Sequence, residues 1–238
     1  CVTRVVERRF AFGDREKEKF VEMLRAYEEF SGVQVLTFCV MSNHVHVLVH
    51  VPKPPERMPD DAELVRLVRR AELSYPASEL ERQLAEMRGA GDDAGAERLR
   101  WRFLRRMWNL ASFMQGVKQR FSQWFNARND RAGTLWEGRF KSVLVEGTGQ
   151  TLSTMAAYID LNPVRAGIAG RPESSSHTSI RERLRPEFDL QQAIDDQTEC
   201  GDLLDFKTPL KPLLPFENRQ INESQSSVRF DFDEYLAL

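Results

Sequence analysis

Val33-Gln34-Val35-Leu36-Thr37-Phe38-Cys39-Val40 runs through Met41-Ser42-Asn43 into His44-Val45-His46-Val47-Leu48-Val49-His50-Val51. Both flanks are rich in β-branched residues, and the short polar break between them reads as a tight turn, so two strands, 33–40 and 45–51, are expected to pair antiparallel. On the N-terminal side, Cys1-Val2-Thr3-Arg4-Val5-Val6 alternates loosely and reads as a first strand. Between them Phe20, Val21, Leu24 and Tyr27 recur at helical spacing, which predicts a helix from Asp14, as N-cap, to about Phe30, stopped by Ser31-Gly32. A β-α-β-β start with a short last connection opens a ferredoxin-like or RRM-like sheet. The expected class is therefore α+β, an antiparallel sheet with helices on one face.

Farther along, Pro52, Pro54, Pro55 and Pro59 mark an extended loop. Two long helical patterns follow, about 61–87 and 96–128, parted by the glycine-bearing stretch 89–95. The first is charged and reads, within 60–97, as a helical insertion. The second carries an apolar stripe of Trp101, Leu104, Trp108, Phe113, Val117, Phe121 and Trp124 among arginines. Residues 134–146 are expected to form a fourth strand, and about 150–161 a helix. After Gly170 the chain turns polar and acidic, so 171–238 reads as an irregular C-terminal extension, wrapping or partly disordered.

At 238 residues, 41% hydrophobic and 29% charged, the chain has the composition of a soluble globular protein able to bury a core. No apolar run approaches the ~20 residues of a membrane-spanning helix, and no membrane partner is expected. Three widely spaced cysteines, Cys1, Cys39 and Cys200, exclude a disulfide framework or a CxxC metal site and fit a reducing cytosol. The chain opens at Cys1 rather than Met, as it does when a leader or further residues precede it. The net charge of −2 conceals an asymmetry: residues 98–141 hold 11 Lys/Arg against 2 Asp/Glu, and residues 186–238 hold 4 against 12. A basic middle and an acidic tail point to a polyanionic partner, with a tail of the right sign to screen the basic surface.

Three constellations could carry chemistry. Alternate residues of a strand share a face, so His44 and His46 project together while Val45 points away. Two adjacent imidazoles can hold one divalent cation; the commoner reading of such a pair on an open sheet face is a solvated or hydrogen-bonded one. His50, of the same parity but two pleats on, reads as structural. Tyr158 and Asn162 are four apart and share one helix face. A tyrosine can form a covalent intermediate, and since a phenol in water ionises near pH ~10, such chemistry at neutral pH calls for a cation beside it. Asn162-Pro163 also fits an N-cap followed by a first-turn proline, and Tyr158 alone fits a half-buried helix tyrosine. Finally, Arg98, Arg100, Arg102, Arg105, Arg106, Lys118, Arg120, Arg128, Arg131, Arg139 and Lys141 offer phosphate contacts with aromatics interleaved, most of which read as core.

Together these segments resemble a known family. Met41-Ser42-Asn43-His44-Val45-His46-Val47-Leu48-Val49 looks like the histidine–hydrophobic–histidine motif of the HUH endonuclease superfamily. Phe113-Met114-Gln115-Gly116-Val117-Lys118-Gln119-Arg120-Phe121, Leu135-Trp136-Glu137-Gly138-Arg139-Phe140-Lys141-Ser142 and Tyr158-Ile159-Asp160-Leu161-Asn162-Pro163-Val164-Arg165-Ala166-Gly167 follow in the family's order. Over about 1–170 the chain resembles the REP-associated tyrosine transposases, relatives of the IS200/IS605 transposases. The resemblance implies that His44, His46 and Asn162 bind Mg²⁺ or Mn²⁺. It implies that Tyr158 attacks a phosphodiester of single-stranded DNA, leaving a 5′-phosphotyrosine and a free 3′-OH, and that rejoining runs the step backwards. It further implies DNA hairpins of palindromic repeats as partners, a monomer or homodimer, and work in the bacterial cytoplasm at the nucleoid. Arg105, Arg106, Lys118, Arg120, Arg139 and Lys141 are the expected DNA contacts, chosen on charge and position. The insertion 60–97 and the acidic extension match no motif of the family.

One rival comes from another class: a non-catalytic, hairpin-binding regulator that keeps the fold of such an enzyme. RNA-recognition modules share the architecture, and fold does not fix function. A pure binder has no need of His44, His46, Tyr158 and Asn162 at once, so their joint presence favours catalysis.

Overall fold

The structure is a computed structural model that describes residues 1–184 except 72, 74 and 148. The strongly acidic stretch 186–238 lies outside the described residues. The chain is α+β. Three strands, β1 (Val2–Arg4), β2 (Gln34–Val40) and β3 (His44–His50), form an antiparallel sheet of order β1-β3-β2. Eight α-helices are found among the described residues: α1 (Asp14–Ser31), α2 (Asp61–Arg70), α3 (Ala77–Gly89), α4 (Asp93–Leu104), α5 (Leu110–Arg128), α6 (Gly149–Asp160), α7 (Asn162–Arg165) and α8 (Ser179–Leu184). Helix α1 begins at Asp14 itself, so Asp14 is the first helical residue rather than the N-cap. The backbone N–H of Gly13 instead donates to the Glu16 carboxylate at 2.9 Å.

The chain divides into two compact units. The first comprises Cys1–Glu18, Val35–Val49 and the chain from Trp136 onward. In it β1 pairs with β3 so that Val2 faces His46, Thr3 faces Val45 and Arg4 faces His44. Val45 and Val47 are fully buried on one face of β3. On the other face Leu48 joins Leu36, Cys39, Met41, Ala156, Ala157, Ile159 and Ile180 in one apolar cluster. Helix α6 thus covers the face of β3 that also bears His44 and His46. The segment after Gly170 enters this core: Thr178 bridges Cys39, Val40 N–H donates to the His177 carbonyl at 3.0 Å, and Ile180 is buried.

The expected fourth strand does not form. Residues 134–146 meet β1 and the residue after it through two isolated bridges, Val5 with Trp136 and Val2 with Lys141, rather than a ladder. Two residues separate Val2 from Val5 but four separate Trp136 from Lys141, so the segment carries two extra residues and the ladder cannot propagate. Gly138 sits in this bulge with open space where a Cβ would lie. Trp136 stays anchored, edge-on to Phe12 with ring centroids 5.8 Å apart.

The second unit comprises Lys19–Gln34 and His50–Leu135. Four helices stand where the periodicity suggests two. Pro76 cannot donate a helical hydrogen bond, and it sits at the N-cap of α3, so the first pattern breaks between α2 and α3. The second breaks between α4 and α5, where Trp108 has φ 50° and the Asn109 side chain accepts from Ser112 N–H at 2.9 Å. Asp60 and Asp92 cap α2 and α4 in the same way, at 2.9 and 2.8 Å. Helix α2 packs on α3 and α3 on α4. Arg88 ties them by reaching Asp61, Asp93 and Glu97 at 3.1, 2.7 and 2.6 Å. Helices α1 and α5 cross closely at Gly116, where a Cβ would lie 2.2 Å from the Tyr27 ring.

Candidate active site on strand β3 and helix α6

The parity of β3 puts both imidazoles on one face, with ring centroids 5.0 Å apart and planes at 78°. Both are half-buried. The His44 pKa is lowered by burial and then by Arg4, its cross-strand neighbour. His46 is lowered to about 4, by burial first and then by His44, so it is neutral at pH 7. The tautomer of His44 follows from its neighbour. Asn43 donates its Nδ2 to the Arg8 carbonyl at 3.0 Å, which turns Oδ1 toward His44. The 2.7 Å contact of that oxygen with His44 Nδ1 therefore makes Nδ1 the donor and leaves the lone pair on Nε2.

Helix α6 brings the phenol to the same place. The Tyr158 ring meets the His46 ring in a T-shaped arrangement, centroids 6.3 Å apart and planes at 83°. It is 44% exposed, open to a substrate. The Arg165 guanidinium lies over the ring, 5.2 Å from its centroid. Arg165 was invisible as a site residue in the sequence, because it lies seven positions after Tyr158 and on the next helix, α7.

Asn162 does not cap α7. Its side chain turns back, donating Nδ2 to the carbonyls of Tyr158 and Ile159 at 2.8 and 3.2 Å, which satisfies the end of α6. The amide is thereby oriented with Oδ1 left as its acceptor. Two residues earlier, Asp160 is buried and accepts from Thr37 Oγ1 at 3.1 Å and Ser179 Oγ at 2.7 Å. The two hydroxyls also meet each other. This network joins β2, α6 and α8 beneath Tyr158, and nothing in the sequence spacing signals it.

His50 lies apart from the pair, exposed, with Nδ1 2.9 Å from the Gln34 side-chain oxygen. The expected DNA-contacting residues fall into different environments. Arg105, Arg139 and Lys141 are exposed. Arg106 is partly buried, hydrogen-bonded to Tyr27 and stacked over Phe30 at 5.6 Å. Arg120 is partly buried near Tyr27. Lys118 is buried, which lowers its pKa, so it does not stand on an open basic face. Position 118 shares the inward face of α5 with Val117 and Phe121, which removes its charge from the open surface that the run of basic residues suggests.

No group of three or more His, Cys, Asp or Glu side chains gathers among the described residues. A cation held here would have to take its third protein donor from another residue type. No helix among the described residues is long and apolar enough to cross a membrane. No curated protein and no solved structure matches the chain. Residues 1–59, which carry β1, α1, β2, β3 and both histidines, match the family described as Transposase IS200 like, and this part of the chain is similar to that transposase family.

Proposed function

We propose that the chain is a metal-dependent, single-stranded DNA endonuclease and strand transferase of the REP-associated type. It would cleave beside hairpins in the bacterial cytoplasm and nucleoid. The observation that carries this reading is an exposed tyrosine whose ring meets both the imidazole of His46 and the guanidinium of Arg165. The donor set fits Mg²⁺ or Mn²⁺: His44 offers Nε2, His46 is kept neutral by burial, and Asn162 presents Oδ1 because its Nδ2 is engaged. Such a cation supplies polarisation of the phosphate oxygens and lowers the barrier to attack at phosphorus.

The chain's own residues do the rest. Tyr158 Oη forms a bond to phosphorus as the P–O3′ bond breaks. The phenolic proton is lost, and the departing 3′-oxygen takes one up to become a free 3′-OH. Arg165 places positive charge beside the phenol as its oxygen gains negative character. Asn43 holds the His44 ring in one tautomer. Attack by a 3′-OH on the phosphotyrosine reverses the step and rejoins strands.

The test is cleavage of an end-labelled hairpin oligonucleotide with a single-stranded flank, in Mn²⁺, in Mg²⁺ and in chelator. Cleavage is expected only with metal and is expected to vanish in His46→Ala. Metal-independent cleavage, or full activity of His46→Ala, would contradict the reading.

A further inference from the structure

The sequence places Trp101 in an apolar stripe with Leu104 and Trp108, as core. In the structure its neighbours Phe103 and Leu104 are buried, but Trp101 itself is 60% exposed on α4. Arg98 lies three residues before it and Arg105 four after, at the C-cap, which continues in helical conformation. These spacings put all three on one stripe of the helix surface, and all three are exposed.

The two arginines differ from their neighbours on the same helix. Arg100 is engaged by Asp61, Glu97 and the Pro59 carbonyl. Arg102 lies over the Tyr75 ring at 5.6 Å. Neither the Arg98 nor the Arg105 side chain has a hydrogen bond or ion pair among the described residues. On α4 itself the acid beside the stripe, Glu97, gives its carboxylate to Arg88 and Arg100 at 2.6 and 2.9 Å, so it does not neutralise them. An exposed indole between two guanidinium groups that no described residue engages has the chemistry of a single-strand contact: a flat face for an unpaired base and a cation on each side for phosphate. Seven helical residues rise about 10 Å, so the two guanidinium groups stand on either side of the indole along the helix.

We propose that the Arg98–Trp101–Arg105 face of α4 binds single-stranded DNA, with Trp101 stacked on an unpaired base and the arginines on flanking phosphates. It rests on the proposed nuclease reading only for the choice of DNA, and it gives the exposed face of α4 a role in holding an unpaired strand. A paired base has no free face to offer, so the contact discriminates single strand from duplex.

The test is fluorescence anisotropy of the full chain with a labelled 20-nucleotide single strand and with the same sequence as duplex. Trp101→Ala is expected to weaken single-strand binding about ten-fold, Trp101→Phe to restore most of it, and duplex binding to stay unchanged. Arg98→Gln with Arg105→Gln should flatten the log–log salt slope by about 1.4, two phosphates at ~0.7 each. Wild-type affinity in Trp101→Ala, or no recovery in Trp101→Phe, overturns the proposal. DNA–protein adduct formation is scored on the same samples. Adduct with Trp101-independent binding keeps the nuclease reading and sinks this contact, whereas Trp101-dependent binding without adduct does the reverse.

Discussion

The Tyr158 and His46 rings meet in a T-shaped arrangement, with centroids 6.3 Å apart and planes nearly perpendicular at 83°. Two independent regularities produce this pairing. Strand parity puts His46 on the same side of β3 as Leu48, and Leu48 packs into the cluster that includes Ala156, Ala157 and Ile159 of α6. The helix that buries its apolar stripe there carries its half-exposed tyrosine to the histidines.

Arg165 should act on Tyr158 without touching the fold. Its guanidinium lies over the phenol ring from an exposed position. Arg165→Ala should slow single-turnover adduct formation about three- to ten-fold at saturating DNA, with Arg165→Lys closer to wild type. Unfolding free energy should change by less than ~0.5 kcal/mol. An unchanged rate would remove Arg165 from the site.

Asp160 is the buried anchor beneath the tyrosine. Asp160→Ala leaves the Thr37 and Ser179 hydroxyls, both fully buried, without their carboxylate. Urea unfolding should show a loss of about 2–4 kcal/mol, and Asp160→Asn a smaller one because the amide oxygen still accepts. A loss under ~0.5 kcal/mol would mean the network contributes little.

At the crossing of α1 and α5, Gly116 admits no side chain without displacing Tyr27. Gly116→Ala improves helix propensity by roughly 1 kcal/mol on an open helix, yet the overpacking should win here. A net destabilisation of about 1–3 kcal/mol is expected from thermal unfolding. A stabilised variant would show that the helices can separate freely.

Cys39 is fully buried, and burial, followed by the charge of Asp160, pushes its thiol up to about 12. It should resist alkylation at pH 8 in the native protein and react in urea, as mapped by mass spectrometry. The folded pKa lies above the unfolded value of about 9, so the contribution of the protonated thiol to stability is fully present below pH 9. That contribution should fall as pH rises from 9 toward 12. Rapid labelling of the native thiol at pH 8 would contradict its burial.

The strands and the histidine pair were legible because a period of two, read over Val33 to Val51, fixes both pairing and parity without tertiary information. Helix α6 was legible from an equally local pattern, the helical spacing of its apolar residues. The breaks at Pro76 and at Arg105–Asn109 were hidden by a helical period that continues on both sides of them. The fourth strand failed because a two-residue bulge is a property of the partner β1 as much as of residues 134–146. Burial of Lys118, engagement of Arg100 by Asp61 and exposure of Trp101 depend on which helix face meets which, and composition does not encode that. The Thr37–Asp160–Ser179 network joins residues up to 142 positions apart, beyond any local pattern.

The most direct test is covalent trapping. The full chain is incubated with labelled single-stranded DNA bearing palindromic repeats from its own genome, with Mn²⁺ or with chelator, and resolved on a denaturing gel. The account predicts a metal-dependent DNA–protein adduct that maps to Tyr158 and is absent in Tyr158→Phe, which still binds the hairpin. An adduct that survives in Tyr158→Phe, or tight hairpin binding by the wild type with no adduct under any metal, would contradict it and leave a binding protein instead.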